Sequence, residues 1–156
     1  MTDEDLKPFV TGTANFFVQV GSLPAEIDAP FVKESQDTVV SDFSAIIGVT
    51  GSQRGCVFYT APRDMLKELV KRLGEPDLSD DICADYVGEI ANTISGNARQ
   101  ELGSGFKISV PTVIRGSDNG VKLPDDAPAF VVPIVWLGHR SALIICLKDN
   151  RMRIST

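Results

Sequence analysis

The chain has 156 residues, 43% of them hydrophobic and 23% charged, with a net charge of −6. That size and balance suit one domain with a proper core, expected to span residues 1–156. The acidic balance argues against a nucleic-acid partner, which needs clustered Lys and Arg, and no apolar run approaches the roughly 18–20 residues of a membrane span.

Apolar residues at helical spacing, Leu6, Phe9, Val10, Ala14, Phe17 and Val18, predict a helix over 4–20 that stops at Gly21. "EIDAPFVKE" is expected to be extended. "DFSAIIGVTGS" and "RGCVFYTAP" read as a hairpin around "GSQRG". Pro62 suits the first turn of a helix that Gly74 closes. On that helix Lys67, Lys71 and Arg72 form a compact basic group, read as a solvated face. Ser79 is placed to cap a long helix over about 80–102, with Asp80 and Asp81 at its positive end and Gly103 beyond it. "FKISVPTVIRG" reads as a strand with an edge position or bulge at Pro111. "SDNG" reads as a turn and "VKLPDDAP" as a loop. "AFVVPIVWL" and "SALIICLKD" form a last hairpin around "GHR", and "NRMRIST" is expected to be a frayed tail.

The order helix, strands, helix, helix, strands predicts an α+β fold with a mainly antiparallel sheet and a coarse internal duplication. Trp136 and the phenylalanines are expected in its core. Three widely spaced cysteines, Cys56, Cys83 and Cys146, each lie in an apolar stretch, which suits buried free thiols in a reducing compartment. One histidine, His139, and no Cys-x-x-Cys leave no zinc pattern. The acidic "MTDEDLKPF" lacks the charged and apolar regions of a secretory signal. A cytoplasmic protein is therefore expected.

The chemistry concentrates in "YVGEIANTISGNAR", residues 86–99. At about 100° per residue, Ile82, Cys83, Tyr86, Val87, Ile90, Ala91, Ile94, Ala98 and Leu102 form an apolar arc for burial against the sheet. Asp85, Glu89, Asn92, Gly96, Arg99 and Gln100 occupy the opposite arc. Glu89 and Asn92, three apart, are surface neighbours with Cβ atoms roughly 5–6 Å apart. Gly88 and Gly96 each cost roughly 1 kcal/mol against Ala inside a helix. At Gly96 the missing Cβ would let a partner's backbone come close, whereas Gly88 equally suits packing within the molecule. Asn97, on the apolar side, is expected to be a buried amide bonded to backbone. On the residues alone two readings of Glu89 and Asn92 stand: a solvent-facing pair without a role, or a pair presented jointly to a partner. Asp85 with Glu89 could also serve as a carboxylate acid/base pair for a small molecule.

"GEIANTISGNARQEL" followed by "FKISVPTVIRG" resembles the CheX branch of the CheC/CheX/FliY chemotaxis proteins, and "DFSAIIGVTGSQRGCVFY" resembles that family's earlier hairpin. The shared pattern is Glu-x-x-Asn, then Gly-Asn, then a strand with Ser-x-Pro-Thr. The resemblance implies a CheC-like fold and a cytoplasmic phosphatase acting on the phosphoaspartate of a CheY-like receiver domain. Asn92 would hold the attacking water, and Glu89 would pair with the receiver's active-site lysine. Asp85, Gly96 and Arg99 would contact the partner. No cofactor of its own is implied, since the receiver would supply Mg²⁺. The CheC branch carries a second Glu-x-x-Asn on its first helix. The matching "VTGTANFF" keeps Asn15 but has Gly12 in place of the acid, so one site per chain is expected, in a homodimer joined through its sheets. A competing reading is a non-catalytic module that binds a receiver or a flagellar switch component.

Overall fold

The computed structural model describes residues 3–20, 22–33, 40–103, 105–116, 123 and 127–149. Gly21, the "SDNG" turn, most of "VKLPDDAP" and the "NRMRIST" tail lie outside these residues.

Helix α1 (Asp3–Gln19) leads into two short strands, β1 (Glu26–Ile27) and β2 (Phe31–Lys33). A hairpin follows, β3 (Phe43–Gly51) and β4 (Gln53–Ala61), then helix α2 (Arg63–Arg72) and the long helix α3 (Asp80–Leu102). Strands β5 (Phe106–Ile108) and β6 (Thr112–Arg115) precede the second hairpin, β7 (Ala129–Trp136) and β8 (His139–Asp149).

All eight strands join one antiparallel sheet of order β1-β7-β8-β4-β3-β5, with β2 also on β7 and β6 also on β3. The duplication expected from the sequence is visible in this order. Each half runs helix, short strands, hairpin, and the two hairpins meet along β4 and β8. The short strands are exchanged: β1 and β2 of the first half pair with β7 of the second, while β5 and β6 pair with β3. Neither half therefore completes its edge without the other.

Alternation along the strands sends Val57, Tyr59, Leu143 and Ile145 toward α1, α2 and α3, where the main core lies. Phe17 meets Trp136 at 5.8 Å between ring centroids, and Phe9 meets Phe106 edge-on at 6.2 Å. The Trp136 indole N–H donates to the Leu23 carbonyl at 3.2 Å, which satisfies its one polar atom. The intervening residues Phe58, Ile144 and Cys146 form a smaller cluster with Val40, Leu123 and Ala127. Burial pushes the Cys56 thiol up to about 11, with the neighbouring Cys146 adding to the effect.

Several local expectations are corrected. On α1 the period places Phe16 in the core and leaves Val18 56% exposed. Phe31, at the sheet edge, is 52% exposed, so not every phenylalanine is core. Cys56 is only partly buried. The last hairpin turns at Leu137 and Gly138, both with positive φ, and His139 already pairs with Trp136 in the ladder. A two-residue turn with φ > 0 at both positions matches the twist of the strands. The first hairpin is also tighter than expected, with Gln53 already in β4. Gly51 has φ +96 there, and a Cβ on it would lie 1.9 Å from the Gly105 carbonyl oxygen, so only glycine fits.

The segment "FKISVPTVIRG" is two strands rather than one. Pro111 has no N–H for the ladder, and the chain bends away from β3 at Ser109–Pro111. Ser109 repairs the break: its N–H donates to the Gly48 carbonyl at 2.9 Å, and its hydroxyl accepts the Gly48 N–H at 2.9 Å and donates to the Val110 carbonyl at 2.9 Å.

Candidate functional site

Helix α3 is fixed at both ends. The Ser79 hydroxyl accepts the Ile82 N–H at 3.4 Å, and Asp80 and Asp81 lie in the first turn, at the positive end of the helix dipole. Arg63 at the start of α2 grips Asp80 with two hydrogen bonds, 2.8 and 3.2 Å, and these hold the Asp80 carboxyl below its ordinary value. Arg115 on β6 pairs with Asp81 at 2.8 Å. At the other end Gly103, with φ 96, sends its N–H back to the Arg99 carbonyl at 3.0 Å.

Between these anchors the helix divides as its period requires. Cys83, Val87, Ile90, Ala91, Ile94 and Ala98 are buried against the sheet and α1. Asp85, Glu89, Asn92, Arg99 and Gln100 are exposed, and Gly96 is half-buried. Glu89 and Asn92, three residues apart on α3, are thus both exposed, each lining a different groove. A Cβ on Gly96 would have nothing within 4 Å, whereas one on Gly88 would touch Val113 at 3.4 Å and Pro111 at 3.6 Å. The two glycines therefore differ: Gly88 lets β6 approach the helix, and Gly96 leaves space facing solvent. Gly96→Ala is expected to raise stability by roughly 0.5–1 kcal/mol, because the helix gains propensity and nothing clashes. A urea midpoint that falls would show instead that Gly96 is packed.

Three open grooves lie along α3. Beside Asn92 a groove of about 550 Å³ is lined by Gly96, Asn97, Arg99 and Gln100. The Arg99 guanidinium is held there by a hydrogen bond from Nε to the Phe106 carbonyl at 3.2 Å. Glu89 borders the other two. One, of about 350 Å³, has Asp85, Pro111, Val113 and Arg115 on its walls. The other, of about 330 Å³, is mostly apolar and lined by Phe16, Val20, Leu73 and Tyr86. Asn97, expected to be a buried amide, is half-buried and lines the groove walls.

The equivalent stretch of α1 is built differently. Asn15 is exposed, but Gly12 is buried at the helix crossing, where a Cβ would lie 3.2 Å from the Ile94 carbonyl oxygen and 3.3 Å from the Asn97 Cβ. On α1 no acid lies one turn from Asn15, and the acid that lines its groove is Glu101 of α3.

The sequence did not point to Pro111, Val113 and Arg115 as neighbours of Glu89. The Ser-x-Pro-Thr pattern marks a strand and the family resemblance, but nothing in it names the helix it packs on. Among the described residues no group of three or more His, Cys, Asp or Glu is placed to hold a metal ion, and no helix is long and apolar enough to cross a membrane.

Comparison with known proteins gives a family and a fold. The sequence pattern of the family described as "Chemotaxis phosphatase CheX" matches residues 43–135. No curated protein sequence matches the chain. Among solved structures, a chemotaxis protein CheX from Desulfovibrio desulfuricans is 29% identical over 93% of this chain and 99% of its own, with a TM-score of 0.83. A chemotaxis protein CheX from Vibrio vulnificus is 25% identical over 93% and 99%, with a TM-score of 0.80. A chain of the CheX–CheY–BeF3–Mg complex from Borrelia burgdorferi shares the fold, at 21% identity over 92% and 97% and a TM-score of 0.74.

Proposed function

The chain belongs to the chemotaxis phosphatase CheX family, and from that premise we propose that it accelerates hydrolysis of the phosphoaspartate on a CheY-like receiver domain. The observation that carries this reading is the joint exposure of Glu89 and Asn92 on α3, with open space over Gly96 a turn away.

Helix α3 docks over the receiver's phosphorylated pocket. Its Asn92 carboxamide oxygen accepts a hydrogen bond from a water and aims that water's oxygen at phosphorus, opposite the aspartyl oxygen. A bond forms from the water oxygen to phosphorus as the bond to the aspartyl oxygen breaks. The electron pair returns to the carboxylate, inorganic phosphate leaves, and the water's proton passes to phosphate or solvent. An amide suits this role because it accepts and donates hydrogen bonds without titrating. Phosphoryl transfer asks the protein mainly for positioning and electrostatics, and a pre-placed water removes the entropic cost of capturing one. Glu89 pairs with the receiver's active-site lysine and draws it aside. Asp85 and Arg99 contact the rim, and Gly96 admits the partner's backbone. Mg²⁺ and the groups that bind the phosphoryl oxygens belong to the receiver, and the reaction takes place in the cytoplasm. Two copies join through their sheets, which leaves the helix strip of each facing outward.

The test is loss of labelled phosphate from a purified receiver, with and without this protein. Acceleration supports the reading. Binding to the phosphorylated receiver with no acceleration would instead make the chain a non-catalytic module. Glu89→Ala is expected to weaken affinity for the phosphorylated receiver about tenfold, through loss of a charge-assisted hydrogen bond. An unchanged titration would remove Glu89 from that role.

A further inference from the structure

The Ser-x-Pro-Thr pattern, Ser109–Thr112, has no part in the chemistry above, yet it stands directly beside it. Pro111 and Val113 pack on Gly88 and share a groove with Glu89 and Asp85. Next to them Val110 is 83% exposed, the most exposed of the large hydrophobic residues described, and Val113 is 37% exposed. Single exposed apolar side chains are common on protein surfaces. Val110 differs in how it is held and where. Ser109 fastens the bend to β3 through Gly48 in both directions and also bonds the Val110 carbonyl, each contact at 2.9 Å. Proline at 111 fixes φ and restricts the residue before it to extended backbone. The side chain is therefore presented at little entropic cost on binding.

We propose that the Ser109–Val110–Pro111 bend is a preformed apolar ledge of the docking surface, with Val110 as its anchor, and that its occupant is the receiver domain bound at α3. This rests on the reading given above. Continuity selects the occupant: Pro111, the residue after Val110, borders one groove of about 350 Å³ with Glu89, so a protein seated on the acid meets the bend at Pro111. The partner chemistry is then an apolar strip beside a cationic group at the mouth of the phosphorylated pocket. Val110 is a specificity residue for binding and touches no reacting atom.

The experiment uses a CheY-type receiver loaded with beryllium fluoride and Mg²⁺ for affinity, and the phosphorylated receiver for turnover. Val110→Asp is expected to raise Kd and KM about tenfold, with kcat within about twofold and the thermal midpoint unchanged. Val110→Leu is expected to keep wild-type affinity. A Val110→Asp protein with wild-type Kd overturns the ledge while leaving the phosphatase reading intact. Weakened binding in a wild-type background that never accelerates phosphate loss supports the ledge and overturns catalysis. Absence of wild-type binding overturns both.

Discussion

Asn92→Ala is expected to return phosphate loss from the receiver close to its spontaneous rate, a fall in kcat on the order of 100-fold, while affinity stays near that of the wild type. Removal of a single positioned hydrogen-bonding group from a reaction centre typically costs 10²–10³, and each tenfold corresponds to about 1.4 kcal/mol of barrier. The same variant is expected to be more stable. Asn92 is exposed in the interior of α3, where alanine is the better helix former by roughly 0.5 kcal/mol. Opposite signs for stability and rate distinguish a site residue from a structural one. The two measurements are the urea midpoint and single-turnover decay of labelled receiver. If decay in the variant matches the wild type, the water is held by some other group.

Gly12→Glu is expected to destabilise the protein by roughly 3 kcal/mol or more, without creating a second site. The substitution would restore, on α1, the acid that pairs with Asn15 in a Glu-x-x-Asn pattern. In this chain a Cβ at position 12 already lies 3.2 Å from the backbone oxygen of Ile94. A carboxylate there would be buried at the α1–α3 crossing without a cationic partner among the described contacts, and an unpaired buried charge is among the costliest single changes. Thermal unfolding checks the first half of the expectation, and phosphatase activity in an Asn92→Ala background checks the second. Activity restored by Gly12→Glu in that background would show that α1 can rotate to present its own pair.

The contrast between the two helices shows where sequence reading is strong. On α3 the apolar positions from Cys83 to Ala98 repeat with the helical period, Ser79 caps, and Gly103 ends the helix. These are local rules, each acting within one or two turns, so the helix bounds and the exposure of Glu89 and Asn92 were legible. At Pro111 a local rule gave only half the answer. It foretold a disturbance in the strand, but the outcome depended on Gly48 of β3 and Gly88 of α3, residues distant in the chain. The hairpin turn at Leu137 was missed for a related reason: a leucine with positive φ is held there by the pairing of Trp136 with His139 on either side of it.

The sequence by itself determined the α+β class, the long helix, and the family through Glu-x-x-Asn, Gly-Asn and Ser-x-Pro-Thr, because these features are written in spacings of a few residues. Only the tertiary structure decided that the two halves exchange their short strands, that Gly12 is a packing residue while Gly96 faces open space, and that Pro111 borders the groove beside Glu89. Those facts concern which surfaces meet after the chain has folded. A glycine carries no side chain from which to read its neighbour, and a bend carries no mark of the helix it will touch. Contacts of that kind are set by the packing of the whole sheet against α1, α2 and α3.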